Sequence, residues 1–189
     1  MGTTCRILTI CGSLRAGSSN AAVLRTAQEV APDGVAVSGY DGLAALPHFN
    51  PDDDAEPLHP AVADLRARIR AADALLFSTP EYAGALPGSF KNLLDWTVGG
   101  GETYGKPAAW INASASQTGA ADAHESLRKV LERTGTDIVE AACAHIPVPR
   151  QAVGPDGLIG DPVIRQEIAG VLQALAEHCR RTAHEAAAP

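Results

Sequence analysis

Two short stretches hold residue types and spacings that could do chemistry. The first is "GSLRAGSSN", Gly12 to Asn20, directly after the apolar run "CRILTIC". Ser18, Ser19 and Asn20 stand where a helix begins, so unpaired backbone N–H groups and the positive end of the helix dipole face the loop. The hydroxyls of Ser13, Ser18 and Ser19 add donors, and Arg15 adds a planar fork that matches phosphate oxygens. An ordinary capped helix start would use one serine or asparagine; it would not gather an arginine as well. Two common phosphate motifs are excluded. The loop lacks the GK[ST] of a P-loop, and Gly12 and Gly17 do not form GxGxxG. What remains suits a terminal monophosphate and is cramped for an adenylated pyrophosphate.

The second stretch is "TPEYAGALPGSFKNLLDW", Thr79 to Trp96. Pro80 stops a strand, Ala83 and Gly84 carry little bulk, and Pro87 suits the first turn of a helix. Backbone amides at Ala83 and Gly84 can approach a flat ring edge-on and donate to its carbonyls and nitrogens. The alternative is a plain strand-to-helix connection with Tyr82 buried. A third loop, Ser114 to Ala120, follows "AAWINAS"; its Ser114, Ser116, Gln117 and Thr118 either donate to a ligand or cap the next helix.

These loops need elements to hold them. "RILTIC" (Arg6 to Cys11), "VAVS", "ALLFST" (Ala74 to Thr79) and "AAWINAS" (Ala108 to Ser114) read as strands, with a fifth inside "TDIVEAACAHIPV". Helical spacing covers Ser19 to about Ala31, His59 to Ala72, the segment with Phe90, Leu93 and Leu94, Ala121 to Arg133, and Pro162 to about Ala187. Five strands alternating with five helices predict an α/β fold: an open parallel sheet with helices on both faces. Ligands in such sheets sit beyond the carboxyl ends of the strands, where the strand order reverses. Trp110, inside the fourth strand, is expected in the core.

The chain has 189 residues, enough for a single domain, and a net charge of -7. An acidic chain without a basic run argues against nucleic acid. No stretch approaches a membrane span, and "MGTTCRILTI" lacks the order of a signal peptide, so a cytoplasmic location is expected. The four cysteines form no CxxC pair and read as reduced thiols; the six histidines show no ligand spacing, and the acidic run Asp52, Asp53, Asp54 and Glu56 reads as a solvated loop. No metal site is expected.

"GSLRAGSSN" together with "PEYAGALPGSFKNLLDW" resembles the NADPH-dependent FMN reductase family, and the order of elements agrees across nearly the whole chain. The resemblance implies a flavodoxin-like five-stranded parallel sheet in the order 2-1-3-4-5, with non-covalent FMN and NADPH or NADH as electron donor. The phosphate loop of the family falls on Ser13, Arg15, Ser18, Ser19 and Asn20. The ring-binding loop falls on Pro80, Glu81, Tyr82, Ala83 and Gly84, with Ser114, Gln117 and Gly119 as further candidates. Many relatives carry asparagine where this chain has Ala83. The implied activity passes two electrons in ping-pong order to a quinone, azo compound, metal oxyanion or free flavin, with no catalytic side chain required. An electron carrier or flavin-binding regulator without NAD(P)H turnover is the alternative. A homodimer or dimer of dimers is expected through Phe90, Leu93, Leu94 and Trp96.

Overall fold

The computed structural model describes residues 4–116 and 118–187. Its sheet contains β1 (Cys5–Cys11), β2 (Val35–Tyr40), β3 (Ala74–Ser78), β4 (Pro107–Asn112), β5 (Asp137–Ile138) and β6 (Ala144–His145). The helices are α1 (Ser19–Glu29), α2 (Pro60–Ala71), α3 (Gly88–Asp95), α4 (Ala121–Arg133) and α5 (Pro162–Ala187). All strand pairs are parallel, in the order β2-β1-β3-β4-β5, with β6 also paired to β4. The flavodoxin-like order is therefore present.

Alternation along the strands explains why both faces must be covered. Cys5 and Ile7 of β1, Leu76 of β3 and Ala109 and Ile111 of β4 pack under α1 and α5 with Val23, Leu24, Leu172 and Leu175. Leu8, Ile10, Leu75, Phe77 and Trp110 point the other way, against Leu65, Ile69, Phe90, Leu93 and Leu127 of α2, α3 and α4. Every residue of β3 is buried, as a central parallel strand requires. Trp110 lies in this second core.

Two expectations change. The fifth strand is split: Val139 N still donates to Ala108 O, but a 3-10 turn at Glu140–Ala142 interrupts pairing before β6 takes it up again. The segment "EAACA" is poor in strand formers, and its small side chains let the turn tuck inward with Ala142 fully buried. The second change concerns assembly. Phe90, Leu93, Leu94 and Trp96 are all 1% exposed or less within one chain, so α3 offers no spare apolar surface for a dimer. Trp96 packs edge-on to Phe49 at 5.0 Å and donates its indole N–H to Pro47 O. The acidic run also takes part in the structure, since Asp54 pairs with the buried Arg66 at 2.7 Å. No described helix is long and apolar enough to cross a membrane.

Candidate functional site

The order β2-β1-β3 reverses direction at β1, so a crevice opens between the loops that follow β1 and β3. At Gly12 the backbone N–H donates to Ser78 O, carrying the ladder one residue past β1. A Cβ there would lie 2.3 Å from Thr79 Oγ1 and 2.9 Å from Phe90. Only glycine permits this approach. Ser13 Oγ accepts the Arg15 N–H at 3.2 Å, which turns the chain, and Gly17 takes a positive φ just before the helix.

Ser18 occupies the cap position of α1 but makes no side-chain cap bond. The first-turn N–H groups are consequently left for a ligand. The serine hydroxyls are less available than the sequence suggests: Ser18 is buried, and Ser19 Oγ donates to Val148 O at 3.3 Å. Asn20 is fixed by Ser78, whose Oγ lies 2.8 Å from Asn20 Oδ1. The donors that remain in this loop are backbone amides, the Ser13 hydroxyl and Asn20 Nδ2, whose residues only accept in the bonds above, and the exposed Arg15, which forms no ion pair among the described residues.

In the second loop Tyr82 and Ala85 exchange backbone hydrogen bonds around a two-residue turn with positive φ at both Ala83 (+52°) and Gly84 (+70°). That closes a tight hairpin and leaves the Ala83 and Gly84 amides outside the turn's own bonds. Tyr82 is 54% exposed and not buried. Glu81 plays a structural part, because its Oε2 accepts the Ala123 N–H at 3.1 Å and so caps α4 from a neighbouring loop. A left-handed alanine is strained, whereas asparagine tolerates this conformation. Ala83→Asn should raise stability by about 0.5–1 kcal/mol, read as a higher melting temperature of the flavin-free protein.

The third loop is tied back by Asn112, which accepts from Ser114 N and donates to Gly119 O, both at 3.0 Å. A Cβ on Gly119 would meet the Cβ atoms of Ser114 and Ser116 at 3.1 Å and require the Ser114 hydroxyl to turn aside, so the loop is closely packed at this glycine. The cap residue of α4 is Ala120, in a left-handed conformation without a side-chain bond, so no hydroxyl of this loop caps the helix. Gln117 lies outside the described residues.

A cavity of about 430 Å³ results. It brings together Arg15, Ser19, Asn20, Pro80, Glu81 and Ser114 from the sequence-derived candidates, and adds Thr79, Ala113, Ala115, Ala120, Val148 and Arg150. Ser13 faces an adjoining cleft, while Ser18, Tyr82, Ala83, Gly84 and Gly119 do not line the cavity. Arg150 was not legible because it arrives from a loop beyond β6, far from either motif. Asn112 had a signal, since asparagine at a strand end commonly organises a turn.

Behind the third loop stands His124, 7% exposed and packed beside Trp110. Its Nδ1 is 2.6 Å from Ala120 O and must donate, because a carbonyl only accepts. Nε2 is buried without a partner, and burial pushes the imidazole pKa below its ordinary value. The unfolded chain then binds a proton before the folded one does. Stability should be full above the ordinary histidine range and fall as pH drops from there through the lower folded value. In melts across this range, the advantage of wild type over His124→Gln should shrink as pH falls.

A family model for NADPH-dependent FMN reductases matches residues 5–147. An NAD(P)H-dependent FMN reductase of Pseudomonas aeruginosa is 38% identical over 183 residues, spanning 96% of this chain and 98% of that protein. A quinone reductase of Escherichia coli is 34% identical over 134 residues, spanning 69% and 71%. The solved flavoenzyme NAD(P)H:(acceptor) oxidoreductase of Paracoccus denitrificans superposes with a TM-score of 0.81 at 31% identity, over 93% of this chain and 97% of that one. With more than half of its length matched by the family model and by full-length relatives, this chain belongs to the NADPH-dependent FMN reductase family.

Proposed function

We propose that the cavity at the switch point binds FMN non-covalently, and that the protein is an NAD(P)H-dependent oxidoreductase. The observation that carries this reading is the uncapped start of α1 opening, beside Arg15, onto a cavity between the β1 and β3 loops. The donor set fits the cofactor. A phosphate monoester matches the α1 amides and Arg15, and a flat heterocycle with carbonyls along its edges matches Ser114 in the cavity wall, with the Ala83 and Gly84 amides outside that lining, on the hairpin that follows Glu81. The volume is that of an ordinary small-ligand site.

The chemistry that FMN supplies when bound is reversible two-electron uptake as hydride. The protein's part is positional. Gly12 and Asn112 hold the loops in register, Glu81 ties the second loop to α4, and among the described residues no aromatic side chain lines the cavity to cover a bound ring. One open face would serve donor and acceptor in turn, hence ping-pong order, with flat oxidants such as quinones, azo compounds or free flavin as acceptors, and metal oxyanions reduced at the same face. The same openness favours turnover over the electron-carrier reading. The four free cysteines suit a reducing compartment such as the cytoplasm. A homodimer stays part of the proposal through a surface other than α3; Val98 and Tyr104, exposed just beyond it, are two of the exposed large apolar side chains, besides Leu14, Tyr82 and Val163 elsewhere. Light scattering that reports a monomer at micromolar concentration would reject it. The activity itself is tested by following NADPH oxidation with a quinone present: sustained turnover is expected, and a single stoichiometric reduction would favour the carrier.

A further inference from the structure

We infer that Arg150 is a second phosphate-binding cation of the cofactor cavity, acting opposite Arg15; the inference rests on the FMN reading above. The segment carrying it is held at the start of α1. Ile146 N donates to Asn112 O, Val148 N donates to Ala113 O, and Val148 O accepts the hydroxyl of Ser19, the first residue of α1. Pro147 and Pro149 restrict the backbone on either side of Val148, and the 3-10 turn Arg150–Ala152 begins directly after Pro149. Arg150 is thereby fixed two residues from a contact with the helix start that faces the phosphate.

Its guanidinium has no competing partner among the described residues. It lines the cavity, is exposed, and pairs with no carboxylate. Glu81, the acidic residue that lines the same cavity, already accepts the Ala123 N–H. Charge makes the second cation useful. A phosphate monoester carries about -1.5 to -2 near neutral pH. Arg15 and a helix dipole worth roughly +0.5 match the lower end of that range and leave about half a charge unmatched at the dianion end. Arg150 completes it, with a planar fork suited to two phosphate oxygens.

Riboflavin shares the ring and ribityl chain of FMN but lacks the phosphate, which separates this role from a structural one. Flavin-free wild type, Arg150→Ala and Arg150→Lys are titrated with FMN and with riboflavin by fluorescence quenching at low and high salt, alongside thermal melts. Arg150→Ala should weaken FMN binding about tenfold, reduce its salt dependence and leave riboflavin binding and the melt unchanged. Arg150→Lys should fall between wild type and Arg150→Ala. An equal loss with both flavins, no loss with either, or an effect confined to a raised KM for NADPH would overturn the assignment. Wild type that takes up no flavin would overturn the FMN reading itself, and that result is distinct from the other three.

Discussion

Replacing Arg15 by alanine should weaken FMN binding roughly 10- to 150-fold, the value of a charge-assisted hydrogen bond of about 1.5–3 kcal/mol. The guanidinium is exposed and carries no ion pair among the described residues, so its loss removes nothing from either core. The flavin-free melt should therefore stay where it is. Turnover should return when FMN is supplied in excess, because the role proposed for Arg15 is in binding and not in hydride transfer. Fluorescence quenching measures the affinity and calorimetry the melt. Unchanged affinity would remove Arg15 from the phosphate site, and a collapsed melt would make it structural.

The second large effect belongs to Gly12. A methyl group there would meet Thr79 Cβ at 2.7 Å and Thr79 Oγ1 at 2.3 Å, besides the ring of Phe90. Thr79 and Phe90 are both buried, and Phe90 packs on Phe77 of β3, so neither can simply swing away. Gly12→Ala should destabilise the protein by about 1–3 kcal/mol, the usual cost of overpacking. For a chain of this size that lowers the melting temperature by about 2–12 °C. The strain falls where the β1 and β3 loops meet, so FMN affinity should drop as well. Gly88 provides the control. A Cβ there meets nothing within 4 Å, and Gly88→Ala should leave both readings near wild type. Equal melts for the two variants would show that the backbones at Gly12 can separate without cost.

The sequence carried the strands because each is a short apolar run, and carried the helices because their apolar positions recur at helical spacing. Ala121–Arg133 came out with both its limits as expected. Where reading failed, tertiary packing decided. The split between β5 and β6 depends on Ala142 finding room beneath α5, which no local pattern encodes. The apolar side of α3 looked like surplus because Phe49 and Pro47, which meet Trp96, come from a loop with no periodicity.

The site was legible in its location and less so in its chemistry. Serines and an arginine before a helix marked the proposed phosphate loop as a place for donors, but composition cannot tell which hydroxyls the fold consumes. Ser19 gives its proton to Val148 O, whereas Ser13 Oγ accepts the Arg15 amide and keeps its own O–H, through contacts that depend on one distant loop and one tight turn. Glu81 looked like part of a ring-binding motif and is bonded to α4 across 42 positions of sequence. Arg150 escaped for the same reason in reverse, as a residue without a motif that the topology delivers to the cavity.

The central claim is that the crevice between the β1 and β3 loops is built for one flavin monophosphate. Its most direct test is titration of the flavin-free protein with FMN and, in parallel, with FAD, following flavin fluorescence and then identifying what heat releases. Saturation at one FMN per chain is expected, with intact FMN on release and far weaker uptake of FAD. Stoichiometric FAD, or no uptake of either flavin, would contradict it.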